Sequence, residues 1–582
     1  MMNGRSLMEP TMTAEFQVTG HNAAALFTLK LHRGDGMTLL AMDWKVGKPP
    51  QDFVGFAIEY KEPKGDRFYA LKNRLGFRTV SGEINSKMMS TMLSPIQKFR
   101  WVHFPRNAEL LGEFIYRVIP AFMSNNDELS YGEAQEAAIE LRRETYPKLL
   151  NVTFTRGFVS SQAFVDRYAS EGPISKLLPA QAEEGLNFVP THPKADEAVK
   201  WMGFEAFSAI LEVLDKAIAD NKAKVRVVAY DLNEPEIVSR LEKLGDRLKI
   251  IIDDSDEHGG RRSAETQAAA RLSNSAGAAN VKRQHMSNLQ HNKTIVVDGP
   301  KGQMVVCGST NLSWRGFFVQ SNNALILQGA SAAKPFLAAF EDYWSLTPAT
   351  FRKGKSANWS DLRLPGIQAR VAFSPHGPSN ALLKDIADDI ETNTTSSLFF
   401  SLAFLDQTEG FVKDAIKKVL RRDDIFVYGI SNNRVKGIDL QKPDGNVSPV
   451  FAAALLPKNV PRPFSAEPTG GSGIRMHHKF VIIDFDKPTA RVYLGSYNFS
   501  TPADVDNGEN LLLIRDRRIA VSYVVEALRI FDHYHFRVKQ QEANKARKEL
   551  VLAKPPRSKR EKAWWVEDYT NVRKIKDRKL FA

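Results

Sequence analysis

The sequence predicts an α/β protein with two similar α/β repeats, preceded by a β-rich N-terminal domain. Three observations predict this class. Segments of β-branched and aromatic residues, separated by turn signals, fill residues 16–168. Helical and strand patterns alternate over 196–346, and the same alternation returns over 369–536. A chain of 582 residues has room for several domains of common size, so each part can bury a core of its own.

The N-terminal region, 16–168, is expected to form a β-sandwich. Stretches such as "FVGFAIEYKE" and "FIYRVIPAFM" favour strands, "RGDG" is a turn signal, and "YGEAQEAAIELRRETY" predicts a helical insertion. The region resembles fibronectin-type sandwiches. Nothing in it suggests chemistry, so we expect a scaffold or a surface for a protein partner, followed by a linker over 169–195.

The two repeats are predicted from helix and strand periodicity. "FEAFSAILEVLDKAI" places five apolar side chains on one helical face, namely Phe207, Ile210, Leu211, Leu214 and Ile218. "KVRVVAYD" and "LKIIIDD" are short apolar runs typical of buried parallel strands. After a linker near 347–368 the cycle begins again with "ARVAFS" and "NALLKDIADDI".

Composition and charge restrict the functional class. No stretch approaches the roughly 18 consecutive apolar residues of a membrane span, and the N-terminus has no secretory apolar segment, so a cytoplasmic protein is expected. The single cysteine, Cys307, excludes an internal disulfide, and the histidines form no recognised metal signature, so no cofactor or metal is expected.

A basic C-terminal segment is predicted over 537–582, where 15 Lys and Arg face 6 Asp and Glu within a chain of net charge +13. Such a segment attracts phosphate polyanions, either nucleic acid or an anionic membrane surface. The alternative is a solvated helix and tail that aids solubility.

A duplicated motif carries the predicted chemistry. "HNKTIVVD" begins at 291 and "HHKFVIID" at 477, and each is followed by a second box, "CGSTNLS" at 307 and "LGSYNFS" at 494. A lone histidine on a strand is usually structural. The return of His, Lys, Asp, Gly, Ser and Asn in the same order favours a functional site formed by both halves.

Strand geometry divides these residues into roles. Because side chains alternate between faces, each His shares a face with the Lys two positions later, whereas the Asp seven positions later falls on the opposite face. The same parity pairs each Ser with its Asn in the second box. The predicted catalytic set is therefore His291, Lys293, Asn311, His477, Lys479 and Asn498, and the predicted supporting set includes Asp298, Ser309, Asp484 and Ser496.

Two imidazoles, two ammonium groups and two amides suit phosphodiester cleavage. Lysine and asparagine bind the non-bridging phosphate oxygens and stabilise the charge of the transition state. One histidine attacks phosphorus, and the other protonates the leaving oxygen and then activates water.

The paired H-x-K-x4-D and G-S-x-N boxes resemble those of the phospholipase D superfamily over about 190–536. The resemblance implies two α/β repeats in one chain, an active site at their interface, a covalent phosphohistidine and no required divalent metal. It leaves the substrate open, because the superfamily includes phospholipases, phospholipid synthases and nucleases.

One difference between the halves suggests the nucleophile. "NGENLLLI" follows the second box and places Glu509 where "QSNNALIL", after the first box, has Asn322. Resemblance to tyrosyl-DNA phosphodiesterases implies that Glu509 crosses the interface to serve His291. Glu509 therefore joins the predicted catalytic set, and Asn322 joins the supporting set. A carboxylate on Nδ1 raises imidazole basicity, so we expect His291 to be the nucleophile and His477 the general acid and base.

Three functional interpretations remain open from the sequence. A nuclease of DNA or RNA is favoured because both boxes resemble those of the nuclease-like branch, and Trp564, Trp565, Arg261 and Arg262 offer possible contacts to nucleic acid. The alternatives for the tryptophans and arginines are packing and a solvated loop. A phospholipase D is the second interpretation, with "GFF" at 316–318 as a possible lipid contact. A non-catalytic nucleic-acid or membrane binding module is the third.

Overall fold

A computed structural model gives the fold of residues 15–78, 89–141, 144–157, 167–173, 176–179, 182–256, 258–432, 435, 438 and 476–582. The chain forms two compact units. Unit 1 comprises Met1–Arg142, Val551–Thr570 and Arg578–Ala582, and unit 2 comprises Arg143–Leu550 and Asn571–Asp577.

Unit 1 is β-rich and its strand pairs are antiparallel, which confirms the predicted β-rich class of this region. One sheet contains Gln17–Thr19, Phe27–Arg33, Thr38–Trp44 and Arg100–His103. The second contains Leu129–Tyr131, Glu113–Met123, Phe53–Lys61, Tyr69–Ala70 and Gln135–Glu140. A short pair joins Lys72–Asn73 to Met89–Ser90. The resemblance to fibronectin-type sandwiches stays a prediction.

The predicted helical insertion at 131–146 is wrong. Residues Gln135–Glu140 form a strand that pairs with Glu113–Met123 along its whole length. Alternate side chains of this strand are buried, among them Ala137 and Ile139 in the core of unit 1. Burial of one strand face therefore outweighs the helix propensity of alanine and glutamate.

The C-terminal segment contributes to the core of unit 1, so the predicted boundary at 537 differs from the observed one. Trp565 is buried among the sandwich side chains, and Trp564 packs against the same cluster. The indole N–H of Trp564 donates to the carbonyl of Phe53, and that of Trp565 to the carbonyl of Pro50. Packing, rather than a stacking surface for bases, is thus the structural role of both tryptophans. A helix follows at Val566–Thr570, and the last helix is Val572–Phe581.

Unit 2 contains two seven-stranded sheets, one for each repeat. The first sheet has the order Leu150–Phe154, Asn323–Gln328, Gly302–Gly308, Lys293–Gly299, Lys224–Ala229, Leu248–Ile252 and Val281–Arg283. The second has the order Ser360–Asp361, Gln368–Ser374, Glu509–Arg515, Arg491–Gly495, Lys479–Ile483, Ser397–Leu402 and Phe426–Ile430. The sheets are mixed, and the predicted parallel pairing of Lys224–Ala229 with Leu248–Ile252 is confirmed.

Helices pack on these sheets and bury a separate apolar core in each repeat. In repeat 1 they are Ala195–Ala219, Pro235–Lys243, Ala264–Ala276, Trp314–Phe318 and Ala330–Ser345. Pro348–Phe351 follows, and in repeat 2 the helices are Leu383–Asn393, Phe411–Leu420, Thr501–Val505 and Arg517–Lys545. The α/β class predicted for both repeats is confirmed.

The first repeat begins earlier than the sequence indicated. Strand Leu150–Phe154 lies within the predicted N-terminal domain, 16–168, but it pairs with Asn323–Gln328 at the edge of the first sheet of unit 2. Its five residues are all buried there. Sequence pattern alone does not distinguish a last sandwich strand from an added edge strand of the next sheet.

None of the helices in the described part of the chain has the length and apolar character needed to cross a bilayer.

Candidate active site

The two motif boxes occupy equivalent places in the two sheets. In each repeat, the strand that begins at the motif lysine, Lys293 or Lys479, pairs antiparallel with the strand that precedes the G-S-x-N box. Each histidine therefore lies just ahead of its strand, and each Ser and Asn lies in the turn just after the neighbouring strand. In each sheet the two boxes thus meet at the same end of two neighbouring central strands.

The glycines that open the second boxes allow a close approach of the backbone. Gly308 has φ +134° and Gly495 has φ +144°. A Cβ atom at Gly495 would lie 2.2 Å from the carbonyl oxygen of Asn510, and one at Gly308 would lie 2.5 Å from that of Asn323. Only glycine fits both the conformation and the space, so the next strand can bring Glu509 or Asn322 beside the box.

Glu509 binds His291 across the repeat interface, as the resemblance to tyrosyl-DNA phosphodiesterases implied. Both carboxylate oxygens of Glu509 lie 2.8 Å from Nδ1 of His291. Ser496 donates to Oε2 at 2.6 Å, and Asn507 donates to Oε1 at 3.2 Å. The carboxylate therefore accepts a proton held on Nδ1 and leaves Nε2 of His291 for chemistry.

Asn322 binds His477 in the opposite direction across the same interface. Its Oδ1 lies 2.9 Å from Nδ1 of His477 and also accepts from Ser309 at 2.9 Å. Its Nδ2 donates to the carbonyl of Gly316, which fixes the orientation of the amide. His477 is thus held with its Nδ1 protonated but receives no negative charge from Asn322.

Backbone hydrogen bonds join the repeats next to these histidines. The amide of His477 donates to the carbonyl of Ser321 at 3.0 Å, and the amide of Gly508 donates to that of Leu289 at 2.8 Å. The positions of the imidazoles are therefore set by the main chain as well as by side chains.

Both motif lysines are buried beside the histidines. Nζ of Lys479 lies 2.9 Å from Nε2 of His477 and donates to the carbonyl of the same residue. Nζ of Lys293 donates to the carbonyl of His291 and lies 4.6 Å from the ring centre of Tyr230, whose edge contacts His291. Each ammonium group thus lies next to the histidine of its own motif.

Burial and like charge weaken the proton affinity of the site. Burial, reinforced by the two lysines, lowers the pKa of His291 and of His477 well below the usual value for histidine. Burial lowers the pKa of Lys293 to about 7, and burial together with Lys293 lowers that of Lys479 well below its usual range. Burial raises the pKa of Glu509 to about 7. A bound anion would offset the clustered positive charge.

The remaining predicted residues have different surroundings. Asn311 is buried, and its Nδ2 lies 3.5 Å from Oδ2 of Asp231, while Oδ1 of Asn311 and Oδ1 of Asn498 have no hydrogen-bond partner among the described residues. Arg261 and Arg262 are exposed ahead of helix Ala264–Ala276, and their place in a substrate groove stays a prediction.

The two motif aspartates lie at the far ends of their strands, but they are not equivalent. Asp484 is fully buried and accepts from the backbone amides of Thr395, Ser396 and Ser397. Asp298 is partly exposed and accepts from the side chain of Gln303 at 2.9 Å. These contacts are with neighbouring strand and turn residues, which is the kind of contact that a supporting role requires.

Sequence reasoning missed a second set of polar contacts behind the histidines. Asn510 donates to Oδ1 of Asn292 at 2.7 Å, and in the other half Nδ2 of Asn323 lies 3.3 Å from Nδ1 of His478. A signal was present, because an Asn directly follows both Glu509 and Asn322. The rings of Tyr230 and Phe404 contact His291 and His477; they lie just after strands Lys224–Ala229 and Ser397–Leu402 and belong to no motif.

Comparison with known proteins gives a family match that includes part of each repeat. The family model described as "Cardiolipin synthase, PLD-like domain" matches residues 214–344 and 454–531. A curated relative, "Phospholipase D" of Rickettsia prowazekii (strain Madrid E), is 48% identical over 48 residues, which is 8% of this chain. The chain covers 22% of the length of that relative.

Solved structures of two bacterial proteins are also similar to part of the chain. Nuc from Salmonella typhimurium, a phospholipase D family member, is 28% identical over 23% of this chain and 86% of its own, with a TM-score of 0.20. NucT from Helicobacter pylori is 22% identical over 29% of this chain and 97% of its own, also with a TM-score of 0.20. The family assignment depends on the family model and the curated relative, together with the duplicated boxes and the two seven-stranded sheets that carry them. Residues 214–344 and 454–531 thus match a phospholipase D-like domain, which supports membership of the phospholipase D superfamily.

Proposed function

We propose that this protein hydrolyses phosphodiesters through a covalent phosphohistidine on His291 and that its substrate is DNA or RNA. One observation carries the proposal: the imidazoles of His291 and His477 are each held through Nδ1 by the opposite repeat, the first by a carboxylate and the second by an amide. Two histidines whose Nδ1 atoms have partners of different charge are suited to the different roles of nucleophile and acid, once substrate binding draws Lys479 away from Nε2 of His477.

Substrate binding begins with the buried positive charge. Lys293 and Lys479 are almost fully buried, and their proton affinities are weakened in the free protein. A phosphodiester anion between them restores protonation of both amines, and its non-bridging oxygens accept hydrogen bonds from them. The amide groups of Asn311 and Asn498 are additional donors for these oxygens.

In the first chemical step, Nε2 of His291 attacks phosphorus, and the bond between phosphorus and the leaving oxygen breaks. His477, protonated on Nε2 in the substrate complex, donates that proton to the leaving oxygen. The phosphorylated imidazole of His291 gains positive charge, which the carboxylate of Glu509 stabilises from Nδ1.

In the second step, Nε2 of His477 accepts a proton from water as the water oxygen attacks phosphorus. The bond between phosphorus and Nε2 of His291 breaks, and its electron pair returns to the imidazole. The phosphomonoester product leaves, and both histidines regain their starting states. No step in this sequence requires a metal ion.

Nucleic acid is the favoured substrate for two reasons. The boxes "GSTNLS" and "GSYNFS" resemble those of the nuclease-like branch, and the net charge of +13 favours polyanions. The "GFF" stretch at 316–318 does not support a lipid substrate, because Phe317 and Phe318 belong to the apolar core of repeat 1.

Hydrolysis of phospholipid headgroups is the second candidate function. The name of the Rickettsia prowazekii relative, "Phospholipase D", favours it, although the similarity extends over only 48 residues. The same two-step chemistry applies, with a headgroup alcohol as the leaving group.

The test offers the purified chain single-stranded DNA, double-stranded DNA, RNA and phosphatidylcholine vesicles, each in EDTA. We expect cleavage of nucleic acid, with the rate reduced by at least about 10³-fold in His291→Ala and in His477→Ala. His285→Ala is the matched control because His285 is exposed and outside the catalytic set. Headgroup release without nuclease activity would overturn the substrate assignment. Nuclease activity in either histidine variant equal to that of the unmodified chain would overturn the mechanism.

A further inference from the structure

A second cluster of ionisable side chains lies in repeat 1, outside the catalytic set. Asp231, His258 and Glu265 offer one ligand atom each, and these atoms all lie within 4.8 Å of one another. Asp231 follows strand Lys224–Ala229, His258 follows strand Leu248–Ile252, and Glu265 is in the first turn of helix Ala264–Ala276. Three separate elements therefore meet at this point.

The other contacts of these side chains leave ligand atoms available in the cluster. Nδ1 of His258 is held by Oδ2 of Asp253 at 3.0 Å, so that Nε2 is the remaining ring nitrogen. Oε1 of Glu265 accepts from the amide of Leu232 at 3.2 Å, which leaves Oε2. A carboxylate behind a histidine is the usual arrangement around a metal ligand, since it fixes the tautomer and raises the basicity of the ring.

A buried amide supplies a second, independent observation. Asn311 is 5% exposed, and its Oδ1 has no hydrogen-bond partner in the described part of the chain. Its Nδ2 lies 3.5 Å from Oδ2 of Asp231, which is too long for a good hydrogen bond. Because the two amide atoms are interchangeable by rotation, the same side chain can direct its unpartnered oxygen at the cluster.

Among the residues that the structure describes, no lysine or arginine lies within ion-pair distance of Asp231 or Glu265. Lys293 and Arg283 act on these carboxylates only through longer-range electrostatic interaction. Two carboxylates held this close repel each other, and burial of Glu265 increases the energetic cost. A divalent cation would remove both penalties.

We propose that Asp231, His258, Glu265 and the side-chain oxygen of Asn311 bind one divalent transition-metal ion, such as Mn²⁺ or Zn²⁺. One imidazole with several oxygens suits these ions better than Mg²⁺ or Ca²⁺, which prefer oxygen ligands alone. Bonds of about 2.0–2.2 Å place neighbouring ligands roughly 3–3.6 Å apart, so ligand atoms that lie within 4.8 Å of one another reach one ion through side-chain movements of about 1 Å.

The place of Asp231 has no ligand in the described part of repeat 2. At the corresponding place in repeat 2, strand Ser397–Leu402 is followed by Ala403 and Phe404, neither of which offers a ligand. The ion would hold the amide of Asn311 in one orientation beside the substrate phosphate. It takes no part in bond making, and the proposal does not depend on phosphodiester cleavage.

Isothermal titration of the metal-free full chain with MnCl2 or ZnCl2, without substrate, tests the proposal. We expect one ion per chain and an affinity at least about tenfold lower in Asp231→Asn, His258→Gln and Glu265→Gln. The matched control is His285→Ala, which removes an exposed histidine that forms a neighbouring His–carboxylate pair with Asp254. Its affinity should equal that of the unmodified chain.

A second measurement uses the unmodified chain, so that the proposal stays testable if the variants fold poorly. The electron spin-echo spectrum of Mn²⁺ bound to the unmodified chain should show one imidazole nitrogen, and thermal unfolding should shift upwards with added ion. Absence of binding at about 1 mM ion, equal affinity in Glu265→Gln, or loss of binding in His285→Ala would each overturn the proposal. Because binding is measured without turnover, these outcomes are separate from failure of the proposed phosphodiesterase activity.

Discussion

Replacing Glu509 with Gln isolates the negative charge that the second repeat places on His291. The substitution keeps the size of the side chain and one oxygen acceptor for Nδ1. It removes the charge that lies 2.8 Å from that nitrogen and leaves the contacts of Ser496 and Asn507 with a neutral group. We therefore expect slower formation of the phosphoenzyme rather than loss of the fold.

The magnitude follows from the charge separation. The centre of the carboxylate and that of a positively charged imidazole lie roughly 4 Å apart, which corresponds to about 4 kcal/mol at an effective dielectric constant near 20. If half of the positive charge has developed in the transition state, the loss is about 2 kcal/mol, or roughly a 30-fold lower rate. Full development of the charge would give a loss of about 10³-fold.

The assay is single-turnover hydrolysis of bis(p-nitrophenyl) phosphate at about pH 8, above the pKa of about 7 to which burial raises Glu509. Glu526→Gln is the matched control, because Glu526 is also a buried glutamate that contacts a histidine, His478, which is outside the catalytic set. We expect Glu526→Gln to lower the free energy of unfolding but to leave the single-turnover rate of hydrolysis unchanged. A rate within threefold of the unmodified chain in Glu509→Gln, or an equal loss in the control, would refute the reasoning.

Three other perturbations have defined outcomes. Burial lowers the pKa of Lys293 to about 7, so this amine is charged below that pH and neutral above it. The affinity of the chain for the anion tungstate, measured by calorimetry, should therefore fall by up to about 100-fold from pH 7 to pH 9. A constant affinity would contradict the role of Lys293 in anion binding. Asp484→Asn should cost at least about 3 kcal/mol of unfolding free energy in urea, because three backbone amides lose a charged acceptor, whereas Asp298→Asn should cost less than about 1 kcal/mol. Equal effects of these two substitutions would count against the difference between the aspartates. Trp565→Ala should destabilise unit 1 by about 3–5 kcal/mol, measured by near-UV circular dichroism on heating, and unchanged melting would contradict its burial in that core.

The repeat architecture was predictable from the sequence because both periodicity and motif occur twice. The strands that begin at Lys293 and Lys479 lie where the duplicated boxes predicted them, and the comparison of Glu509 with Asn322 identified the two residues that bind the histidines. A carboxylate in one half and an amide in the other is a difference that the alignment of the two halves makes visible.

Other features were not predictable because they depend on contacts between distant parts of the chain. Trp565 lies far along the sequence from the strands that bury it, and no local pattern assigns it to unit 1. Strand Leu150–Phe154 has the composition of a sandwich strand but pairs in the next sheet. His258 and Asp231 lie on separate segments without a spacing motif, so their proximity to Glu265 emerges only from the fold.

Rapid-quench trapping of the phosphoenzyme, followed by mass spectrometry of the modified peptide, tests the central claim most directly. Each substrate must place its phosphoryl group on the nucleophilic histidine before water releases it. We predict phosphorylation of His291, accumulation of this species in His477→Ala with a substrate whose leaving group needs no protonation, and none in His291→Ala. A phosphoryl group on His477, or a trapped phosphoenzyme in His291→Ala, would contradict the account.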